Sequence, residues 1–145
     1  MSIYSDIESE FINRFKIEQQ LFGESLKEKS VNQVDFVYQS GDKNIMVEVY
    51  ATIGKALSAK KRKLVSDGLK MLYLEKIKGK FFDKYIITVN DEVWKTAIEK
   101  IWQIDALKTL GITILYFDIT TEQRNALLKA SKENVKSQQK IDDNE

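Results

Sequence analysis

The sequence predicts an α/β domain in which a mixed β-sheet is covered by helices, and three observations predict it. Two apolar runs, Val34-Asp35-Phe36-Val37-Tyr38 and Ile45-Met46-Val47-Glu48-Val49-Tyr50, flank the turn-like Ser40-Gly41-Asp42-Lys43-Asn44, the pattern of an antiparallel hairpin. Two further short apolar runs, Lys84 to Val89 and Ile112 to Asp118, read as buried strands. Between them the apolar residues recur at helical spacing, so strand and helix alternate through the second half, the order that builds right-handed parallel crossovers.

Each element follows from its local pattern. Ile7, Phe11, Ile12, Phe15, Leu21 and Phe22 predict an amphipathic first helix from about Ser5, with Ser5 and Glu8 as a capping box. The charged stretch 24–30 is ambiguous, with room for a short edge strand around Leu26. Residues 33–39 and 44–51 form the hairpin, joined by a five-residue connection. Leu57, Leu64, Val65, Gly68, Leu72 and Ile77 mark a long helix over 57–78 that ends near Gly79. Asn90 or Asp91 caps one helix running to about Leu110, where Gly111 stops it. In that helix Trp94, Ile98, Ile101 and Trp102 read as core, with a homodimer surface as the alternative. Thr120 or Thr121 caps a final helix through about residue 135, and 136–145 reads as a polar, fraying tail. Residues 1–135 then make one domain, long enough to bury roughly 70% of its unfolded surface.

Composition removes several kinds of chemistry. The 145 residues include no cysteine and no histidine, which excludes disulfides, thiolate catalysis, Ser-His-Asp triads and His- or Cys-ligated metals. An enzyme built from this chain works with carboxylates, lysine, arginine, tyrosine or hydroxyls. An ordinary apolar share of 43%, no run long enough for a membrane helix and no basic-then-apolar start predict a cytoplasmic protein with no membrane partner. Net charge is only +1, yet nine basic residues stand against Asp67 and Glu75 between Lys55 and Lys80.

Asp35 and Glu48 are the candidate chemical residues, because carboxylates inside apolar strands are costly to bury unless something cationic meets them. Period-two alternation puts Met46, Glu48 and Tyr50 on one face, and Gln33, Asp35, Val37 and Gln39 on one face of the partner strand. A register that pairs Asp35 with Glu48 would bring two like charges together, and a divalent cation, Mg²⁺ or Mn²⁺, would relieve them. The opposing expectation is that both acids lie on a solvated sheet face or satisfy nearby lysines. On the following helix Lys60, Lys63, Asp67 and Lys70 fall within about an 80° stripe. With Lys61 and Arg62 this basic surface suits a phosphate backbone, DNA first, unless it is simply a solvated helix face. Asp67 reads as an i,i+4 partner of Lys63.

This hairpin with its two acids resembles the PD-(D/E)XK nuclease superfamily over roughly residues 5 to 90. The resemblance implies a restriction-endonuclease-like core of helix, three strands, helix and strand, here extended by a further helix, strand and helix. It implies that Asp35 and Glu48 bind Mg²⁺ and that a lysine positions or activates the attacking water for phosphodiester hydrolysis. The family's tripeptide is (D/E)-X-K, whereas this chain has Glu48-Val49-Tyr50, and a neutral tyrosine does not supply an ammonium's charge. Variant members carry the lysine elsewhere, commonly on the following helix, and others are inactive. The candidates here are Lys55, Lys60 and Lys63, with Tyr50 as a hydrogen bonder, and Glu8 or Glu10 is available as the acid that the first helix often adds. The expected function is thus a metal-dependent DNA nuclease. The alternative is an inactive nucleic-acid-binding or protein-interaction module of the same fold.

Overall fold

The computed structural model describes residues 2–22, 26–28, 34–55 and 58–143; Gln33 and Leu57, assigned above to a strand and a helix, lie outside them. One mixed sheet runs in the order β1 (Leu26–Glu28), β2 (Phe36–Ser40), β3 (Lys43–Tyr50), β4 (Asp83–Val89), β5 (Ile112–Phe117). β1, β2 and β3 pair antiparallel, whereas β3, β4 and β5 pair parallel. The expected α/β class with a mixed sheet is present, including an edge strand at Leu26.

Alternation along the strands sorts side chains into two cores. Phe36, Tyr38, Ile45, Val47, Val49, Ile87 and Val89 pack with Ile7, Phe11 and Phe15 of α1 (Ile3–Glu18) and Leu127 of α5 (Thr121–Asp143). Val37, Met46, Tyr50 and Ile86 face the other way, onto α2 (Ser58–Lys78), α3 (Glu92–Glu99) and α4 (Trp102–Thr109). The sheet is therefore the middle of three layers, and each buried Phe, Ile or Leu contributes roughly 1.5–3 kcal/mol. The α1 side is set by rings: Phe11 meets Phe117 edge-on at 5.3 Å, and Phe15 meets Tyr85 at 5.0 Å.

Several boundaries differ from the sequence expectations. Ser2, not Ser5, caps α1, accepting a hydrogen bond from the Ser5 N–H at 3.2 Å. The hairpin turn is the two residues Gly41 and Asp42, with Gly41 at φ 58°, because pairing continues to Ser40 and Lys43. Thr120 caps α5 in a reciprocal box with Gln123, and the helix continues past residue 135 to Asp143 through a stretch of Lys, Ser, Gln, Ile and Asp that contains neither Gly nor Pro.

The expected single helix from Asp91 to Leu110 is two helices. Asp91 caps α3, but Ile101 adopts an extended conformation, φ −91° and ψ 137°, and α4 starts afresh at Trp102. The cause is phase. A straight continuation of the Trp94–Ile98 stripe would carry Asp105 and Lys108 inward, and the break turns Ile104 and Leu107 to the core instead. It also turns Trp102 out to 72% exposure, so this residue leaves the expected core. Leu107 then lies so near Gly68 of α2 that an added Cβ would stand 2.6 Å from its Cδ1.

Lys84, the second residue of β4, is 2% exposed and donates to Glu75 Oε2 at 2.6 Å and to the Phe82 carbonyl at 2.8 Å. Burial works against the Glu75 charge, but the bonds it accepts from Lys84 and from the Phe82 N–H at 2.8 Å outweigh it and hold the carboxyl below its usual range. Glu75→Ala leaves a buried ammonium without its counter-ion, and a loss of about 3 kcal/mol in urea unfolding is expected. Among the described residues no helix is long and apolar enough to cross a membrane.

Candidate phosphodiester site

The β2–β3 register pairs Phe36 with Val47, so one step further Asp35 stands opposite Glu48. The Val49 N–H donates to Asp35 Oδ2 at 2.9 Å and holds that carboxylate against β3 at the point where regular pairing ends. Glu48 shares a face with Met46 and Tyr50 and points at α2. It is 3% exposed. Its position is fixed from behind by parallel pairing with Ile86 and, further along the strand, by a relay in which Trp94 Nε1 donates to Thr88 Oγ1 and Thr88 to the Tyr50 carbonyl.

Three acids and two lysines converge here. Lys70 Nζ lies 3.3 Å from Glu48 Oε1 and 3.4 Å from Asp67 Oδ1. Lys63 Nζ lies 3.0 Å from Asp67 Oδ2, and the Tyr50 hydroxyl donates to the same oxygen in a short hydrogen bond. The Lys63 ammonium also stands 5.4 Å from the centre of the Tyr50 ring. Residues 63, 67 and 70 share the flank of α2 beside the Leu64, Gly68 and Met71 core stripe, and that phase alone brings them to β3.

The electrostatics follow from burial and like charge. Desolvation first, then the neighbouring Asp35 carboxylate, push the Glu48 carboxyl from its ordinary 4.5 up to about 8, and Lys70 only partly counters them. Burial opposes the Asp67 charge too, but bonds from Tyr50 and Lys63 and the charge of Lys70 outweigh it and hold that carboxyl below its usual range. Burial and the Asp67 bond drive the Tyr50 phenol far upward, so it stays a neutral donor. Glu48 Oε1 has no aligned hydrogen-bond partner among the described residues, since the Lys70 contact has the distance of an ion pair without the geometry of a hydrogen bond.

The remaining expected residues are placed as follows. Lys60 is exposed, with its ammonium 5.6 Å from the Tyr4 ring centre. Lys55, Lys61 and Arg62 border clefts on the far flank of α2. Glu10 accepts from Gln123 at 2.6 Å and so is bound to α5. Of the lysines expected to be catalytic, Lys63 meets Asp67 while Lys55 and Lys60 lie elsewhere, and the lysine at Glu48 is Lys70, expected on the basic stripe alone. Asp67, expected only as a helix-surface partner of Lys63, is the hub that joins Tyr50 to both lysines; its signal in the sequence was the 63, 67, 70 spacing.

A hard cation fits the paired carboxylates in one respect: an orphaned, buried oxygen on Glu48 beside a second acid. Among the described residues no group of three or more His, Cys, Asp or Glu could hold a metal ion, so any cation here takes the rest of its shell from water or substrate. No family model, curated protein or solved structure matches the chain.

Proposed function

We propose that this chain hydrolyses phosphodiester bonds in DNA with the help of a divalent cation, as a PD-(D/E)XK-like protein whose motif lysine is replaced by Lys70 of α2. The observation that carries this reading is the meeting of Asp35, Glu48 and Lys70 on one sheet face, with Lys70 Nζ 3.3 Å from Glu48. The order helix, edge strand, hairpin, helix, parallel strand agrees with the restriction-endonuclease-like core that the resemblance implies.

In this reading Asp35 and Glu48 would hold Mg²⁺ or Mn²⁺, which would supply Lewis-acid chemistry to the scissile phosphate and the attacking water. Lys70 supplies the positive charge that Tyr50 lacks, placed to hold the attacking water or to stabilise charge on the phosphoryl oxygens. Asp67 and Tyr50 are positioning residues: the phenol fixes Asp67 Oδ2, which leaves Oδ1 facing the Lys70 ammonium. Lys63, largely exposed beyond Asp67, meets the phosphate backbone.

The test is cleavage of single-stranded, duplex and nicked DNA with Mg²⁺ or Mn²⁺, compared with Glu48→Ala. Loss of cleavage in the variant is expected, and cleavage that survives it sinks the site. The non-catalytic module is favoured by one observation, that Asp67 already engages both lysines. Melting with added Mg²⁺ separates the two, because a cation bound only by the folded chain raises Tm and the non-catalytic module predicts no rise.

A further inference from the structure

We infer that the groove between the outer flank of α2 and the α3–α4 elbow binds single-stranded nucleic acid, with Trp102 as its stacking platform. Two adjoining clefts of about 600 and 430 Å³ make the groove, and they share Lys61 and Ile101. Lys55, Lys61, Arg62 and Lys100 line it against a single acid, Glu92. Its floor is apolar: Val65, Leu69, Val93, Ala97 and Ile101. The first turn of α2 carries no acid to offset these charges.

Trp102 sits between Ile101 and Gln103, both groove residues, with 72% of its surface exposed. The helix break that re-phases α4 requires some residue at this position but not an indole. Cations and apolar residues lining a groove, with an exposed indole next in the chain to two of its lining residues, match what a single strand offers, unpaired base faces alternating with phosphates. A duplex keeps its base faces stacked inside and leaves the floor unused. A second copy of the chain seated here would set one basic α2 against another, which like charge disfavours.

The inference rests on the proposed function for its purpose, since it names the form of the substrate. α2 is the wall between the two sites, with Lys63, Asp67 and Lys70 on one flank and Lys61, Val65 and Leu69 on the other. A strand crossing the basic N-terminal turns of α2 would reach both.

Intrinsic fluorescence tests it without cleavage. Trp94 is fully buried and bonded to Thr88, so a change on binding reports Trp102. Titration of the metal-free protein with oligodeoxythymidine of about 16 nucleotides should quench the emission, with affinity falling as salt rises. Lys61→Glu with Arg62→Glu should weaken binding at least about tenfold through the lost phosphate contacts. Trp102→Leu, which keeps an apolar side chain, should remove the quench and weaken binding about tenfold by electrophoretic shift. All three residues lie at the surface, and an unchanged Tm would confirm that the variants fold.

No quench, a quench indifferent to the charge reversals, or equal affinity for a duplex overturns the inference. Binding of polyglutamate as tight as that of the oligonucleotide does the same, and points to an acidic protein partner. If the oligonucleotide binds while DNA is never cut, the groove stands and the nuclease reading fails. If DNA is cut while the oligonucleotide does not bind, the nuclease reading stands and the groove fails.

Discussion

Lys70→Met is expected to lower divalent-cation-dependent DNA cleavage by about a hundredfold or more, the scale of losing one charged donor aimed at a reacting phosphate. The expectation rests on distance and charge. Lys70 reaches Glu48 at 3.3 Å, whereas Lys55 borders a cleft on the far flank of α2 and Lys60 lies over Tyr4. Methionine keeps the apolar stem that packs along α2 while removing the ammonium, so the variant should fold, at a cost of about 1–3 kcal/mol for the acids it leaves behind. Oligonucleotide affinity should change little, because phosphate contact there depends on other lysines, and the loss should fall on kcat rather than KM. Tyr50→Phe should cost less, about tenfold, since it frees Asp67 Oδ2 without removing a charge, and Lys55→Ala and Lys60→Ala should leave kcat near that of the wild type. If Lys60→Ala or Lys55→Ala abolishes cleavage while Lys70→Met does not, the assignment of the migrated lysine is wrong.

The parts of the fold that were legible in the sequence are those in which a single period decides the outcome. The hairpin, β4, β5 and α2 are each long, regular and ended by Gly or a capping residue, and tertiary packing had nothing to overrule. The α3–α4 region was not legible because Trp94, Ile98, Ile101 and Trp102 keep helical spacing through a point where the backbone leaves the helix. Only the contact with α2 explains the break: Leu107 must meet Gly68, and an unbroken helix would present Lys108 and Asp105 there instead. That information is non-local and lies in no window of the sequence. The hairpin turn is shorter than its polar run suggests for a smaller reason, since Ser40 and Lys43 still pair at the end of the ladder.

The candidate site divides along the same line. That Asp35 and Glu48 could meet followed from alternation within two strands, and the register brings them to opposite positions. Which lysine approaches them did not follow, because it depends on how α2 lies across β3. Lys55 and Lys60 are nearer in sequence to Tyr50, but the close approach of α2 comes later, where Leu64, Gly68 and Met71 are buried. The role of Asp67 is hidden in the sequence for a related reason. An acid one turn from a lysine on an exposed helix is usually a weak surface pair, and its meeting with a tyrosine on a neighbouring strand is visible only once the layers are stacked.

Glu48 makes the second large prediction, a stability that falls as the pH rises through the neutral range in the absence of metal. Its carboxyl titrates at about 8 in the folded protein and at about 4.5 when free, so between these values the folded chain holds a proton that the unfolded chain has lost. The contribution is therefore present in full below about 4.5 and is lost as the pH rises through about 8. The steepest effect is about a tenfold fall in the folding constant per pH unit. Asp67, Glu75 and Asp91, whose carboxyls are held below their usual range, act in the opposite sense only in more acid solution. Urea unfolding of the metal-free protein across this window should show the decline, and Glu48→Gln, which never ionises, should flatten it. The groups facing Glu48 are Asp35, Asp67, Lys70 and Tyr50, with the Lys63 charge beyond them, and burial with the two acids outweighs Lys70. A cation must displace the proton, and so Mg²⁺ should bind up to about tenfold more tightly for each unit of rising pH, levelling above about 8. Parallel pH profiles for the wild type and Glu48→Gln would show that the Glu48 carboxyl is ionised throughout. The buried pair would then be an ordinary ion pair with Lys70, and the need for a metal to relieve it would disappear.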